Sequence, residues 1–222
     1  MSVRIAELRT ATSSYLFYVE GGEVRRANDF YPTPEFATNA LLNSGEPIGG
    51  LILEPCTGDD AIAEVLRRRA GTVITNDIDF SRTANFHQDI LDAKWLFGFE
   101  FNWIVTNPPF SLASQIVPLC YERATEGIAM LLRLSFLEPV ESRGTWLNEH
   151  PPTTLIVLPR ISFTNNGRTD SVTCAWMVWN KTETRQRIII AQNPRFVLPS
   201  PRENPSLFTM QETQTDSKLS AA

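Results

Sequence analysis

Short apolar runs alternate with helix-like stretches along the middle of this 222-residue chain. The runs are rich in branched residues and have the length of buried strands. Five of them are GLILEP (50–55), TVITND (72–77), FNWIVTNPPF (101–110), GIAMLLR (127–133) and TLIVLP (154–159). Strands that alternate with helices build an α/β fold with a mostly parallel, doubly wound sheet. Ligands of such sheets bind at the carboxyl ends of the strands.

The stretches between these runs carry helix signals. In DDAIAEVLRRRAG the apolar residues fall on one face, acidic residues open the helix and arginines close it. Farther along, SVTCAWMVWNK (171–181) follows TLIVLP through a turn region and is expected to return antiparallel to it. A further strand, RIIIAQ, is expected to extend that edge of the sheet.

Size and composition exclude several classes of protein. A chain of this length supports one sizeable domain with an enzyme core. It offers no apolar stretch long enough for a membrane span or a secretory signal, so a cytoplasmic protein without a membrane partner is expected. The net charge of −5 argues against a protein that coats nucleic acid without specificity, although a local basic face is compatible with it. Three distant cysteines and two histidines support neither a disulfide framework nor a metal site.

The chain divides into three predicted parts. Residues 1–28 form an N-terminal segment in which one helix and a hairpin around EGGEV are expected. Residues 29–199 contain the strand and helix alternation and form the main domain. Residues 200–222 are polar and lack periodic apolar spacing, which predicts a flexible tail.

Acidic residues and a glycine stand at successive strand ends. Gly58 in EPCTGDD permits close approach of the backbone to a ligand just before a helix. Asp77 ends the next strand about twenty residues later, the spacing between a nucleotide loop and a ribose-binding carboxylate. Asp79 is the nearby competitor for that role. Asp89 in HQDIL lies where a third strand is expected to end, and it either accepts from an adenine amino group or is a solvated loop residue.

The run IVTNPPF (104–110) ends a strand in an amide, two prolines and an aromatic ring. Each proline fixes its own φ and forces the preceding residue into extended geometry, so Asn107 is held stiffly. Taken alone, the run predicts a turn that ends a strand. Gly58, Asp77 and Asp89 at neighbouring strand ends favour a functional role instead, because they suit a nucleoside-containing ligand beside it.

These motifs resemble those of the S-adenosylmethionine-dependent adenine-N6 DNA methyltransferases, in particular the compact enzymes of bacteriophages and prophages. The resemblance covers most of residues 29–181, where YPTP, EPCTG, NDID and TNPPF follow one another as cofactor and catalytic motifs do. The segments LLRLSFLEPVESR, LPRISF and GRTDSVTCAWMVWNK look like the C-terminal half of the phage proteins. The resemblance implies a Rossmann-like class I methyltransferase fold: a mostly parallel seven-stranded sheet with an antiparallel edge strand and helices on both faces.

The same resemblance implies S-adenosylmethionine as the cofactor. Thr33 then contacts its methionine end and Asp77 its ribose hydroxyls. Ile78 packs on its adenine ring, and Asp89 reads the amino group of that ring. The cofactor loop is lined by Glu54, Pro55 and Gly58. The sequence departs from the family pattern at Asp60, where a second glycine is usual, and a side chain is thereby placed close to the cofactor loop.

For catalysis the resemblance implies the motif Asn107, Pro108, Pro109 and Phe110. Asn107 and the carbonyl of Pro108 grip the target amine, and Phe110 stacks on the target base, an adenine flipped out of double-stranded DNA. The second face of the base is expected to meet Phe136, Trp146 or Phe163. Phosphate contacts are expected from arginines among Arg133, Arg143, Arg160 and Arg168. The substrate-binding residues chosen from these sets are Phe163, Arg143 and Arg168.

Two alternatives stay open at the level of sequence. The same site suits an RNA adenine or a protein glutamine amide, since both present a planar NH₂ group. The second alternative is a catalytically silent binding module that keeps the fold.

Overall fold

The computed structural model of the protein describes residues 16–17, 25–26, 32–92, 94, 98–161 and 172–192. Two short strands, β1 (Leu16–Phe17) and β2 (Arg25–Arg26), pair antiparallel as the hairpin expected around EGGEV. The expected N-terminal helix and polar tail lie outside the described residues. The strands of the main sheet are β3 (Gly50–Glu54), β4 (Gly71–Thr75), β5 (Phe101–Thr106), β6 (Ala124–Arg133), β7 (Thr154–Val157), β8 (Cys174–Asn180) and β9 (Arg187–Ile190).

These seven strands form one sheet in the order β4-β3-β5-β6-β8-β7-β9. The first four in this order run parallel to one another. Their carboxyl ends, at Thr75, Glu54, Thr106 and Arg133, therefore meet at one edge of the sheet. The mostly parallel sheet predicted from the alternation is confirmed, and this carboxyl edge is where a ligand is expected.

The strand β8 runs opposite to the other six, but it is not the edge strand that was predicted. It pairs with β6 on one side and β7 on the other, while β9 pairs with β7 and forms the edge. Burial explains this order: every residue of β8 is buried, whereas β9 is mostly exposed. A strand that is buried throughout needs covered faces and neighbours on both sides.

Helices cover both faces of the sheet, as predicted. They are α1 (Glu35–Leu42), α2 (Ala61–Arg69), α3 (Ala113–Arg123) and α4 (Glu141–Glu149). Successive residues of β5 point to opposite faces: Trp103 packs with α1 and α2, and Ile104 packs with α3 and α4. In the described part of the chain, no helix is long and apolar enough to cross a membrane.

Packing of α1 sets the position of residues 32–34, which precede it directly. The indole N–H of buried Trp176 on β8 donates a 2.8 Å hydrogen bond to the carbonyl of Ala37. Glu35 also meets Arg68 of α2 at 2.7 Å, but both side chains are exposed and such pairs contribute little. The buried indole therefore contributes more than this exposed pair to holding the start of α1 against the sheet.

Candidate active site

The loop between β3 and α2 turns sharply at Gly58, whose φ of +57° lies in the left-handed region that favours glycine. Its backbone N–H donates a 2.8 Å hydrogen bond to Oδ2 of Asp77. One residue earlier, the N–H of Thr57 donates to the carbonyl of Asn76 at 3.0 Å. The predicted glycine loop and the predicted carboxylate are thus in direct contact at the ends of neighbouring strands.

Both carboxylate oxygens of Asp77 are oriented by backbone N–H groups. Oδ2 accepts from Gly58, and Oδ1 accepts from the N–H of Asp79 at 2.9 Å. Each oxygen has a second lone pair for a further donor, and a ribose diol supplies two donors. The carboxylate of Asp79 instead accepts from the N–H of Ser81 and lies 3.6 Å from Arg82. This geometry favours Asp77 over its competitor.

Exposed apolar side chains stand directly beside Asp77. Ile78 exposes 54% of its surface and Phe80 exposes 80%. The ring of Phe80 stacks on that of His87 with centroids 5.0 Å apart. Apolar surface next to two oriented acceptors suits a ligand that combines a flat ring with hydroxyl groups.

Asp60 adopts a backbone conformation that glycine favours. Its φ of +67° is left-handed, which aspartate tolerates better than most residues. Arg67 lies farther along α2, and its guanidinium donates to both carboxylate oxygens of Asp60, with Nη2 to Oδ1 at 3.1 Å. Oδ1 also lies 3.4 Å from the hydroxyl of Thr57. The side chain of Asp60 is therefore paired with Arg67 of α2.

Glu54 ends β3 and is almost completely buried. The hydroxyl of Thr57 donates to its Oε2 at 3.3 Å. Burial raises the pKa of Glu54 well above its ordinary value, and the negative charge of Asp60 adds to the rise. Both the Thr57 hydroxyl and the backbone N–H of Ala63 in the first turn of α2 act in the opposite direction, to lower the pKa of Glu54.

The third strand expected to end near Asp89 does not form. A side chain replaces it: the amide of Asn76 donates to the carbonyl of Gln88 and accepts from its N–H, both at 3.0 Å. A single isolated bridge joins Asn76 to Phe86. These contacts hold Asp89, one residue farther on, beside the end of β4. Asp89 itself is exposed, and its Oδ1 accepts from the N–H of Leu91 at 2.9 Å.

Asn107 follows β5 directly and contacts the segment before α1. Its side-chain Nδ2 donates a 3.1 Å hydrogen bond to the hydroxyl oxygen of Thr33. Thr33 is buried with 5% exposure, between two prolines. The structure therefore brings together two residues, 74 positions apart, that the sequence assigns to the cofactor and to the target amine.

The rest of the motif forms the turn into α3. Pro108 is buried, and the carbonyl of Pro109 accepts from the N–H of Leu112 at 2.9 Å. The ring of Phe110 is half-buried and packs against the cores on both faces of the sheet. The guanidinium of Arg133, at the end of β6, lies over this ring, 4.8 Å from its centroid. A base that stacks on this side of Phe110 has to displace Arg133.

The predicted substrate-binding residues have different outcomes. Arg143 donates from Nε and Nη2 to the carbonyl of Glu138, at 3.3 and 3.0 Å, and its guanidinium lies 5.2 Å from the ring centroid of Phe136. These contacts stabilise the segment before α4. Phe163 and Arg168 lie outside the described residues.

Trp146 was a wrong candidate for the second face of the target base. It packs against Trp179, near the end of β8 that is opposite to the carboxyl edge of β6. Its other neighbours are Tyr121 and His150, with ring centroids at 5.8 and 5.2 Å. Phe136 is 6% exposed and belongs to the core beneath α3 and α4. Phe136 is thus buried in the core and Trp146 is partly buried against other rings, and both positions reflect packing rather than access to a base.

Within the described ranges, no group of three or more His, Cys, Asp or Glu side chains is placed to hold a metal ion.

The sequence matches no protein-family model and no curated protein. The structure, in contrast, is similar to several solved methyltransferases.

The type I restriction-modification methyltransferase subunit of Streptococcus thermophilus aligns at 15% identity with a TM-score of 0.54, over 72% of this chain and 47% of that chain. The M protein of the type I restriction enzyme EcoKI aligns at 12% identity with a TM-score of 0.53, over 79% of this chain and 52% of that chain. This chain spans about half the length of both. The 23S rRNA methyltransferase ErmE aligns at 21% identity with a TM-score of 0.50, over 71% of each chain.

The fold is that of the class I methyltransferases. The cofactor named for this class is S-adenosylmethionine. In the class I fold seen here, Gly58, Asp77 and Asn107 follow three neighbouring parallel strands at the carboxyl edge. Sequence reasoning missed Asn76, whose amide replaces a strand, and the contact of Arg133 with Phe110. A polar amide directly before Asp77 was the available signal for the first.

Proposed function

We propose that this protein transfers a methyl group from S-adenosylmethionine to the N6 amino group of an adenine in DNA. The observation that carries the proposal is the hydrogen bond from Asn107 Nδ2 to Thr33. It fixes the amide nitrogen of the NPPF motif against Thr33, and in our proposal Oδ1 of the same amide accepts from the substrate amine. Its position at the carboxyl edge, beside the contact between Gly58 and Asp77, supports a nucleoside cofactor next to it.

Oriented acceptors and exposed apolar surface at the carboxyl edge support S-adenosylmethionine as the cofactor. Asp77 offers oriented acceptors for the ribose hydroxyls, and exposed Ile78 offers an apolar surface for the adenine ring. Asp89 accepts from the amino group of that ring. The glycine loop, Glu54, Pro55 and Gly58, borders the cofactor, and Thr33 meets its methionine end. When bound, the cofactor supplies an electrophilic methyl group on a sulfonium ion.

The exocyclic amine of adenine is a poor nucleophile, because its lone pair is delocalised into the ring. Asn107 Oδ1 and the carbonyl of Pro108 accept one hydrogen each from this amine. Two acceptors on the two hydrogens favour a pyramidal nitrogen whose lone pair can attack the sulfonium methyl. The carbon–sulfur bond would break as the carbon–nitrogen bond forms, and the nitrogen would then lose one proton to solvent. Positioning and fixed dipoles thus supply most of the rate, and the motif needs no histidine.

An adenine inside a duplex cannot reach Asn107, so it is flipped out at a cost of a few kcal/mol. Stacking on an aromatic ring returns about 1–3 kcal/mol per base. Phe110 supplies this ring once the guanidinium of Arg133 has moved away from the ring face. A displaced arginine at the carboxyl edge is then available to a backbone phosphate. Phe163 and Arg168 are further proposed contacts of the flipped base and its phosphates.

A planar NH₂ group on RNA adenine or on a protein glutamine fits the same pair of acceptors. DNA is favoured by the resemblance of residues 131–181 to phage enzymes. Transfer of a labelled methyl group to unmethylated duplex DNA, to RNA and to a protein extract separates the three substrates. We expect label in DNA; label confined to RNA or protein overturns the substrate assignment.

A catalytically silent module is separated from an enzyme by cofactor binding. Titration calorimetry with S-adenosylmethionine is expected to give measurable heat and one site per chain. No measurable binding indicates the silent module.

A further inference from the structure

We propose that Thr33 is a positioning residue that fixes the orientation of the Asn107 carboxamide. A carboxamide has an acceptor oxygen on one side and a donor NH₂ on the other, and rotation by half a turn exchanges them. A target amine presents hydrogens, so only the orientation with Oδ1 toward the amine is productive. This inference rests on the proposed function, because it takes the amine as the group that Asn107 grips.

The contact has the chemistry that such a role requires. The hydroxyl oxygen of Thr33 accepts from Asn107 Nδ2 at 3.1 Å, and the reversed amide would place two oxygens against each other unless the hydroxyl proton turned to meet it. Thr33 is buried and lies between Pro32 and Pro34, which limits the movement of its backbone. The indole of Trp176 fixes the helix that follows. The acceptor is therefore held at a set place relative to β5.

A hydroxyl group also has one proton to donate while it accepts. With its oxygen engaged by Asn107, the proton of Thr33 remains available to a carboxylate, such as the one at the methionine end of the cofactor. A proton donated in that direction keeps the hydroxyl oxygen as an acceptor for Asn107. Occupancy of the cofactor site then favours the productive orientation of the amide that grips the target.

Thr33→Val tests the role, because valine keeps the shape of the side chain and removes the hydroxyl. Thr33→Ser is the rescue variant, since it restores the hydroxyl. Thr38→Val is the matched control: Thr38 is also fully buried, lies on α1 and has a hydroxyl without a hydrogen-bond partner among the described residues. Thermal unfolding of all three variants shows whether each is folded.

The first readout is the side-chain amide signal of Asn107 in ¹⁵N-resolved NMR spectra, assigned by its loss in Asn107→Asp. We expect Thr33→Val to shift this signal and to speed its hydrogen exchange, with and without cofactor. Thr33→Ser and Thr38→Val are expected to leave it near its wild-type position. An unchanged signal in Thr33→Val overturns the contact, whether or not the protein is a methyltransferase.

The second readout is turnover at saturating cofactor and DNA. We expect kcat to fall about tenfold in Thr33→Val, the equilibrium worth of one hydrogen bond, and to recover in Thr33→Ser. A residue that only contacts the cofactor would raise the cofactor Kd and leave kcat at saturation unchanged, which overturns the positioning role. Wild-type protein that methylates nothing contradicts the proposed function instead, and the NMR readout still decides the contact.

Discussion

The backbone N–H of Gly58 donates a 2.8 Å hydrogen bond to Oδ2 of Asp77, and this contact joins the loop after β3 to the end of β4. It gives Asp77 two functions in our account. One lone pair on each carboxylate oxygen accepts from a backbone N–H, which orients the glycine loop and the turn to Asp79. The remaining lone pairs accept hydrogen bonds from the ribose hydroxyls. The shape of the loop and the affinity for a cofactor should therefore change together.

Asp77→Asn tests this coupling. The amide nitrogen of asparagine cannot accept, so one of the two backbone N–H groups loses its partner and the ribose loses an acceptor. We expect the free energy of unfolding to fall by about 1–2 kcal/mol and the cofactor Kd to rise about tenfold or more. Chemical denaturation and calorimetry measure these quantities. The exposed Asp92→Asn is the control, and equal cofactor affinity in Asp77→Asn would remove the carboxylate from the cofactor site.

Asp60 stands in a left-handed conformation that glycine adopts without strain. Asp60→Gly loses the ion pair with Arg67 but relieves the strain, whereas Asp60→Ala loses the ion pair and keeps the strain. We expect the alanine variant to be less stable than the glycine variant by about 1–2 kcal/mol. Denaturant midpoints measure the difference. Equal stability of the two variants would contradict the left-handed geometry.

The free energy of unfolding should fall as pH rises above the acid range, because the carboxyl group of Glu54 is buried. Burial raises the pKa of its carboxyl well above the usual 4.5, so the folded protein holds the proton more tightly than the unfolded chain. The stabilising contribution is complete below pH 4.5 and is lost as pH rises through the raised pKa. Glu54→Gln resembles the protonated form and should lack this loss.

Denaturation of wild type and Glu54→Gln from pH 4 upward measures the effect. We expect the variant to gain stability relative to wild type as pH increases, while the exposed Glu149→Gln follows wild type. Parallel curves for wild type and Glu54→Gln would show that the carboxyl titrates normally in the folded protein.

Phe110 should contribute to DNA binding through its ring. Phe110→Leu keeps much of the packing against the two cores but removes the aromatic face, so we expect the KM for DNA to rise about tenfold, the worth of one stacked base. Phe110→Trp should retain a low KM. Steady-state kinetics with duplex DNA measures both, with Phe99→Leu as the control at a partly exposed ring. No change in KM for Phe110→Leu would exclude base stacking there.

The sheet, its parallel strands and the helices on both faces were predictable, because apolar periodicity is a local property of the sequence. The contact of Gly58 with Asp77 was also within reach, since their spacing and strand ends imply a shared edge. The polar amide of Asn76 was visible beside Asp77, but its pairing with the backbone of Gln88 was not predictable, because such a contact leaves no periodic pattern. The interior place of β8 depends on pairing between distant strands, which local signals do not specify.

Contacts between single side chains that are distant along the chain could also not be predicted from the sequence. The arginine over Phe110 and the amide bond from Asn107 to Thr33 join residues from different elements. Asp60 was recognisable as a departure from a glycine, but its pairing with Arg67 depends on the geometry of α2. Local sequence thus located the candidate site, and tertiary packing decided how its side chains are oriented.

The most direct test of the account is a count of N6-methyladenine in duplex DNA after incubation with the protein and S-adenosylmethionine, by mass spectrometry of the released nucleosides. We predict that wild type produces N6-methyladenine and that Asn107→Ala produces at least about a hundredfold less, because a preorganised contact of the transition state is lost. Calorimetry should show that Asn107→Ala still binds the cofactor. Full activity in Asn107→Ala, or cofactor binding by wild type without any N6-methyladenine, would contradict the account.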